Sequence, residues 1–369
     1  MDILTRFGPA RPLIATKRHL TAALIAAAMA TSTGAYAQSY RVVDLGTLAQ
    51  GTSTVVWGPN IAGAAVGGGR LVQQDGAVAP PGALVLERGA TQAVAGPAGS
   101  DLPRLLGAND FGAVVGAANA AQGVRAFSGT RSGAARELPP LPGDAASLAY
   151  AINNRGEAVG FSSGPAGERA VRWTPDGQPS ALAAPGRASA RAYSINDRGD
   201  SVGVVGAASE RRPTFWAASG IATELPLLPG FGAGEASWLN ARGDTVGYVA
   251  SNAEQRRATL WPAGGAPVDL GTLPGDSTSQ AFGINDAGAV VGSSDGRAGA
   301  KAFLWSSTAG LRDLNALLAS PANVVLTRAI GINNVGMIVA LGHEAEPAHA
   351  GDAHDHEQPI RVVLLIPGG

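Results

Sequence analysis

The stretch "FGINDAGAVVG", Phe282 to Gly292, decides the fold, because versions of it recur along the chain. In each copy an Asn is followed three residues later by a Gly, and apolar runs lie on both sides. Six clear copies and one weaker copy place this asparagine at Asn60, Asn109, Asn153, Asn196, Asn240, Asn285 and Asn333. Short apolar runs that flank an Asn-x-x-Gly turn predict a β-hairpin in every copy.

The spacing between the repeated asparagines is nearly constant, at 43 to 49 residues. A period of about 40 to 50 residues with short β elements is typical of propeller blades, whereas β-helix coils are much shorter and helical repeats show a 3.6-residue pattern. Each unit contains four strand-like runs, which around Asn285 are "SQAFGIN", "GAVVGSS", "AKAFLW" and "GLRDLNALL". The sequence therefore predicts an all-β fold, a seven-bladed β-propeller whose first strands are innermost.

The two ends of the chain predict how the ring closes. A fourth-strand motif, "YRVVDLGTL" at 40–48, precedes the first repeat, and the last repeat ends with a third strand, "PIRVVLLI" at 359–366. We therefore expect the N-terminal strand to pair with the C-terminal strand, which removes the open sheet edges that promote aggregation. A single propeller domain is predicted over 38–369, and we expect it to be a monomer.

The composition limits the class of protein. The 52 Gly and 24 Pro, with 5% aromatic residues, favour many turns and short strands over long helices. A formal net charge of −1 argues against a nucleic-acid-binding protein, which needs a basic face. The lack of cysteine in the sequence excludes disulfides, thiol nucleophiles and thiolate metal sites.

Residues 1–37 have the pattern of a secretory signal peptide. Lys17 and Arg18 precede the apolar stretch 20–30, and an A-x-A cleavage pattern lies at 35–37. The apolar stretch is too short to span a membrane. We therefore expect a secreted or periplasmic protein that has no transmembrane segment after signal cleavage.

Three submotifs recur in fixed order, and their best copy is "DLGTLPGDSTSQAFGINDAGAVVGSSDGRAGAKAFLW", Asp269 to Trp305. This pattern resembles the HAF-repeat family of extracellular repeat proteins, and the resemblance covers most of 40–340. It implies export and a repeat fold, and it offers no chemistry to transfer. The histidine that gives the family its name is replaced here by Lys301, Arg125 and Arg169. No role that depends on that histidine is expected in this chain.

Repeated side chains have a structural interpretation. The Asn-x-x-Gly segments are interpreted as turns, in which Asn caps and Gly takes a positive φ. Calcium loops are the alternative, although the dense carboxylates of such a site are missing. Four third strands end in tryptophans that we interpret as packing between blades, with a sugar-stacking platform as the alternative; they are Trp173, Trp216, Trp261 and Trp305. Acids on the fourth strands are interpreted as solvated; they are Glu137, Glu224 and Asp269.

Few residues could support catalysis. All histidines after residue 37 lie within 342–357, so a Ser-His-Asp site would have to use this segment. Acids near predicted turns leave open a hydrolase or lyase with paired carboxylates; they are Glu157, Asp200, Glu235 and Asp244. Solvated loop acids are the commoner explanation. The leading hypothesis is therefore a non-catalytic scaffold that binds a protein or glycan at the cell surface.

The segment "GHEAEPAHAGDAHDHE" at 342–357 interrupts the last repeat between its second and third strands. Imidazoles and carboxylates are ligands for zinc, nickel or copper. The predicted metal ligands are His343, His349, Asp352, His354, Asp355 and His356. A His-rich tract of this kind would collect or buffer metal in the periplasm, and no cofactor is required for the fold. The alternative is a solvated loop that binds no metal.

Overall fold

The computed structural model describes residues 39–48, 55–58, 64–69, 82–87, 90–130, 133, 135–207, 210–251, 255–320, 323–345 and 359–368. They form seven antiparallel four-stranded sheets, and the predicted seven-bladed propeller is confirmed. The sheets lie within one compact unit, Ala37–Gly368.

The strands are numbered in chain order, and consecutive strands of a blade are hydrogen-bonded neighbours. Blades 1 and 2 consist of β2 (Val55–Trp57), β3 (Ala65–Gly69), β4 (Gly82–Glu87) and β5 (Ala90–Val94), then β6 (Asp101–Ala108), β7 (Ala113–Ala120), β8 (Gly123–Thr130) and β9 (Arg136–Leu138). Blades 3 and 4 consist of β10 (Ala146–Ile152), β11 (Ala158–Gly164), β12 (Gly167–Trp173) and β13 (Pro179–Ala181), then β14 (Ala190–Ile195), β15 (Ser201–Val205), β16 (Arg212–Trp216) and β17 (Ala222–Glu224). Blades 5 and 6 consist of β18 (Ala233–Leu239), β19 (Thr245–Ala250), β20 (Arg256–Trp261) and β21 (Val268–Gly271), then β22 (Asp276–Ile284), β23 (Val290–Gly296), β24 (Gly299–Ser306) and β25 (Gly310–Asp313). Blade 7 consists of β26 (Val324–Ile332), β27 (Ile338–Glu344), β28 (Ile360–Pro367) and the N-terminal β1 (Tyr40–Leu48).

The first strand of each blade is innermost. Each first strand contacts the first strand of the next blade, from β2 through β6, β10, β14, β18, β22 and β26, and β26 contacts β2 again. The fourth strands are outermost, because each pairs only with the third strand of its own blade. The seven inner strands therefore surround the axis, where propellers have their central channel.

Strand β1 closes the ring as predicted. It pairs antiparallel with β28 along its whole length, from Tyr40 opposite Pro367 to Leu48 opposite Ile360. Tyr40 and Leu45 are 2% and 1% exposed, so this strand also contributes to the core. Blade 7 is complete only because the N-terminal strand supplies its fourth strand.

Every first strand from blade 2 to blade 7 contains a β-bulge three residues before the repeated Asn. A bulge bends a strand and changes the direction of a side chain. In blade 4 it brings the carbonyl of Arg191 close to β15, where a Cβ on Gly203 would lie 2.0 Å from that oxygen. The glycine that follows the Val of each second strand in blades 2 to 6 is thus explained by a close approach of two backbones.

The core consists of layers between neighbouring blades. One layer joins Val159 and Ala170 of blade 3 to Ala192 and Trp216 of blade 4. The Trp216 indole Nε1 donates to the carbonyl of Ala183, after the fourth strand of blade 3, at 2.6 Å. Equivalent bonds join Trp173 to Pro139 at 2.8 Å and Trp261 to Pro226 at 2.7 Å. These three rings are at most 2% exposed, so inter-blade packing is confirmed for them and they cannot stack on a sugar. The fourth, Trp305, is partly buried against the layer that contains Val246 and Ala258 of blade 5.

The fourth strand of blade 6 is shorter than predicted. It ends at Asp313, and a 3-10 turn, Asn315–Leu317, takes the place of the predicted strand end. The Asn315 side chain binds the backbone N–H and carbonyl of Leu326 at 2.8 and 2.9 Å, which ties the turn to β26.

In the described part of the chain, no helix is long and apolar enough to cross a membrane.

Candidate functional site

The repeated asparagine caps a turn in its own blade. In blade 4, Oδ1 of Asn196 accepts hydrogen bonds from the backbone N–H groups of Arg198 and Asp200, both at 3.0 Å. Gly199 has a φ of 88°, which favours glycine. The turn interpretation is confirmed in blades 2 to 7, and Asn60 lies outside the described residues.

The same asparagine also joins neighbouring blades, which the sequence did not predict. Its side-chain Nδ2 donates to the backbone carbonyl of the equivalent Asn in the next blade. The bonds measure 3.0 to 3.2 Å and run from Asn109 to Asn153, Asn153 to Asn196, Asn196 to Asn240, Asn240 to Asn285 and Asn285 to Asn333. All six side chains belong to buried residues. The turn motif is therefore an inter-blade connection.

Three of the four candidate catalytic acids share one structural position, four residues after the repeated Asn. Asp244 shows the pattern: Oδ1 accepts from the N–H of Ala263 and Oδ2 from Nδ2 of Asn240, both at 3.0 Å, while Arg242 forms an ion pair. Burial raises the pKa of Asp244, but these hydrogen bonds outweigh burial and the net pKa is lowered. A carboxylate held ionised in this way is a poor general acid.

The other acids do not assemble into a pair with it. Glu157 in blade 3 repeats the arrangement with Asn153 and Arg172, and its pKa is lowered although burial opposes this. Asp200 repeats it in blade 4 through Arg198. Glu235 lies near the start of β18, five residues before its blade's Asn, and therefore at the other end of the strand. The four acids belong to three blades, and the two of blade 5, Glu235 and Asp244, lie at opposite ends of β18.

Of the six predicted metal ligands, the structure describes one. His343 lies in β27, opposite Val325, so Gly342 to Glu344 belong to a strand and the insertion begins at Ala345. The other five, His349, Asp352, His354, Asp355 and His356, lie outside the described residues. Among the residues that are described, no three His, Asp or Glu side chains are grouped as metal ligands. The metal site stays a prediction.

The cations at the positions where HAF repeats have histidine have structural partners. Arg169 and Lys301 bind Asp144 and Asp276, respectively, each at 2.8 Å. Both carboxylates come from a Leu-Pro-Gly-Asp loop, and their side chains are only 2% exposed. Because a buried carboxylate needs a charge partner, these cations stabilise the loop before the first strand.

Two positions of the first strand differ from blade to blade, whereas their neighbours are copied. The position five residues before the repeated Asn holds Arg104, Leu148, Arg191, Glu235, Gln280 and Arg328 in blades 2 to 7. The bulged position, three before the Asn, holds Leu106, Tyr150, Tyr193, Ser237, Phe282 and Ile330. The residue between them is a buried alanine in blades 3 to 7. We call these two sets the variable inner positions. A scaffold position is copied in every blade, so variation on the inner strands marks the candidate site.

In blades 3 and 4 the variable inner positions form an aromatic cluster. Tyr150 and Tyr193 make an edge contact with their ring centres 5.2 Å apart. The Arg191 guanidinium lies 5.0 Å from the centre of the Phe161 ring and binds Glu168 through two bonds of 2.6 Å. Burial raises the pKa of both tyrosines, so the hydroxyls stay protonated.

Both tyrosine hydroxyls keep unused hydrogen-bonding capacity among the described residues. Among the described residues, no group forms a hydrogen bond with the hydroxyl of Tyr150 or Tyr193. Both hydroxyl oxygens keep some contact with solvent. A hydroxyl both donates and accepts, so the pair offers polar contacts beside aromatic surface.

The cluster continues into blade 5 with charged groups. Glu235 binds Arg211, and this carboxylate is the main cause of the raised pKa of Arg211. Burial, followed by Glu235, raises the pKa of Tyr248 to about 12. Arg256 lies over the Tyr248 ring at 4.8 Å and donates to Oε1 of Gln280 at 3.2 Å. Side chains from neighbouring blades therefore meet beside the variable inner positions.

The chain matches no protein-family model and no curated protein. Among solved structures it is similar to virginiamycin B lyase from Staphylococcus aureus, with 14% identity, 89% of this chain and 100% of that chain covered, and a TM-score of 0.49. It is also similar to a puromycin hydrolase, with 16% identity, coverage of 84% and 53%, and a TM-score of 0.48. TolB from Acinetobacter baumannii gives 11% identity, coverage of 70% and 64%, and a TM-score of 0.44. Similarity at this level carries no inference about ligand or reaction.

Proposed function

We propose that the chain is an exported, non-catalytic β-propeller that binds a protein or glycan at the cell surface, and that it is a HAF-repeat protein. The observation that carries the proposal is the contrast between copied and variable positions. The copied Asn, acid and Trp side chains are engaged in bonds within and between blades. The variable side chains lie on the innermost strands and include two hydroxyls without partners among the described residues.

The contacts of the acids favour binding over catalysis. Glu157 and Asp244 have lowered pKa values because hydrogen bonds to the ionised form outweigh burial, so they are poor proton donors at neutral pH. Glu235 is the acid at a variable inner position, and it is bonded to Arg211 and Tyr248. A hydrolase or lyase that works through paired carboxylates would need a carboxyl free to exchange a proton with its substrate.

Removing the two tyrosine hydroxyls tests the binding surface. In a Tyr150→Phe, Tyr193→Phe variant, we expect binding to a purified cell-envelope fraction to weaken about tenfold, because each lost hydrogen bond contributes about 0.5–1.5 kcal/mol. Co-sedimentation of labelled protein with the envelope fraction measures this.

The matched control changes the opposite ends of the inner strands. Asp197→Asn with Asp286→Asn alters two carboxylates at the Asn turns and keeps the oxygens that accept from the backbone N–H groups of Asn154 and Ala241, so binding should persist. Loss of binding in this control with retention in the tyrosine variant would assign the surface to the turns. No sedimentation of the unaltered protein would contradict the proposed function.

We further propose that residues 1–37 direct export and are then removed. The support is the basic segment, apolar stretch and A-x-A pattern in the sequence. Intact mass of protein recovered from the periplasm or medium should correspond to a chain that begins at Gln38.

Metal capture is a second candidate function, favoured by the position of the insertion. In blade 3 the second strand ends at Gly164 and the third begins at Gly167. In blade 7 the corresponding connection is 345–359. His343 lies near the end of β27, two residues before this connection begins. The connection contains the other predicted ligands, so an inserted segment of the chain is rich in imidazole and carboxylate.

Titration of Zn²⁺, Ni²⁺ or Cu²⁺ into tag-free protein should show binding in the micromolar range. Deletion of 346–357 should abolish it, and this deletion leaves β27 and β28 intact. Equal binding by the deletion variant, or no binding by the intact protein, would contradict metal capture.

A further inference from the structure

Two arginines from neighbouring blades flank strand β22. Gln280 and Phe282 occupy the variable inner positions of this strand. Arg256 of blade 5 donates from Nη1 to Gln280 at 3.2 Å, and Arg328 of blade 7 lies over the Phe282 ring at 5.3 Å. Residues two apart in a strand are separated by about 7 Å. Two guanidinium groups from different blades therefore contact the same short segment of β22.

These two arginines differ in their charge environment from other arginines near the variable inner positions. Arg191 is paired with Glu168, and Arg211 with Glu235. Across the described residues, neither Arg256 nor Arg328 has a carboxylate partner within ion-pair distance. Arg328 is exposed, and Arg256 is half-buried. Among the described residues, the two guanidinium groups beside β22 thus carry positive charge that no ion pair takes up.

Each of the two guanidinium groups lies over an aromatic ring. Arg256 lies over Tyr248 and Arg328 over Phe282, and this cation–π contact limits the positions that the groups adopt. The edges of a stacked guanidinium keep N–H donors that suit the two oxygens of a carboxylate or the oxygens of a phosphate. Less conformational freedom is lost on binding when the donors are already held in place.

We propose that Arg256 and Arg328 bind the oxyanion groups of an acidic saccharide, with its carboxylates lying against β22. This inference rests on the proposed binding function and names its ligand class. The saccharide is favoured over an acidic peptide by the tyrosine hydroxyls on β10 and β14, which match a ligand rich in hydroxyl groups. Aromatic side chains at the same positions supply apolar surface for the C–H faces of sugar rings.

Calorimetric titration of the complete exported chain with a defined oligogalacturonate tests the inference. The methyl-esterified form of the same oligomer has the same sugars without the charges, and we expect it to bind at least about tenfold more weakly. Arg256→Gln and Arg328→Gln should each weaken binding of the acidic form about tenfold. Arg41→Gln removes the same charge from an exposed position on the outermost strand β1 and should leave affinity unchanged.

Any of the following results would overturn the inference. Equal affinity for the acidic and esterified oligomers would show that these arginines do not bind the ligand. The same conclusion would follow if Arg256→Gln and Arg328→Gln both bound the acidic oligomer as tightly as Arg41→Gln does. Inorganic phosphate binding as tightly as the oligomer would indicate a site for a free anion, and tighter binding of an oligoglutamate would indicate a peptide site. No binding of the acidic oligomer also overturns it. Retained envelope binding together with any of these results would leave the proposed function standing.

Discussion

Deletion of Tyr40–Leu48 should destabilise the propeller by on the order of 5 kcal/mol or more, which is comparable with the whole stability of many domains. The deletion removes Tyr40 and Leu45 from the core, and each fully buried large side chain contributes about 1.5–3 kcal/mol. It also removes every hydrogen bond between β1 and β28 and leaves β28 as an open edge. We expect a strongly lowered thermal midpoint by circular dichroism, together with oligomers in size-exclusion chromatography.

Two controls separate ring closure from a general effect of truncation. A chain that begins at Ser39 retains β1 and should unfold at the same temperature as one that begins at Gln38. A synthetic peptide of residues 39–48, added to the deletion variant, should restore part of the lost midpoint because it can pair with β28. An unchanged midpoint in the deletion variant would show that the ring does not depend on the N-terminal strand.

Asn196→Asp should cost on the order of 3 kcal/mol, although the two side chains have nearly the same shape. The retained oxygen can still accept from Arg198 and Asp200 in the turn. The donor to the Asn240 carbonyl is lost, and a carboxylate oxygen takes its place in a buried site close to Asp200. An Asp caps turns about as well as an Asn, so we attribute the cost to the lost inter-blade donor and to the buried charge beside Asp200.

Urea unfolding measures this cost, and pH gives an independent check. Burial and the neighbouring carboxylate should raise the pKa of the carboxyl group introduced at position 196. A raised folded-state pKa means that stability is lost as pH increases through it, so the deficit should be smaller at pH 4 than at pH 7. Asn323→Asp makes the same change at an exposed site beside Glu344 and should cost well under about 1 kcal/mol. If both substitutions lowered the free energy of unfolding by the same small amount, Asn196 would act only as a turn cap.

The blade number, the closure and the turns could be predicted because they are determined by local patterns. Alternating apolar runs, an Asn-x-x-Gly turn and a constant period appear within each unit of the sequence. The predicted strand at 40–48 has the observed bounds of β1. The fourth strand of blade 6 was predicted too long, because "GLRDLNALL" has a strand-like apolar content while the Asn315 side chain binds β26 and ends the strand there.

The inter-blade bonds could not be predicted, since each connects residues 43 to 48 positions apart through the geometry of the ring. The candidate site was missed for a different reason. Arg191, Gln280 and Phe282 look like ordinary strand residues when each unit is considered alone. A signal was present when the units are aligned on the repeated Asn, because the alanine between the two variable inner positions is copied in five blades while its neighbours differ.

The central claim is that copied positions hold the ring together while the variable inner positions bind a ligand. Amide hydrogen exchange with and without a saturating acidic oligosaccharide tests it most directly. We predict slower exchange in the presence of ligand in the inner strands β22 and β26, which carry Gln280, Phe282 and Arg328. Slowing confined to the connection 345–359, or to the Asn turns at 196–199 and 285–288, would contradict the claim.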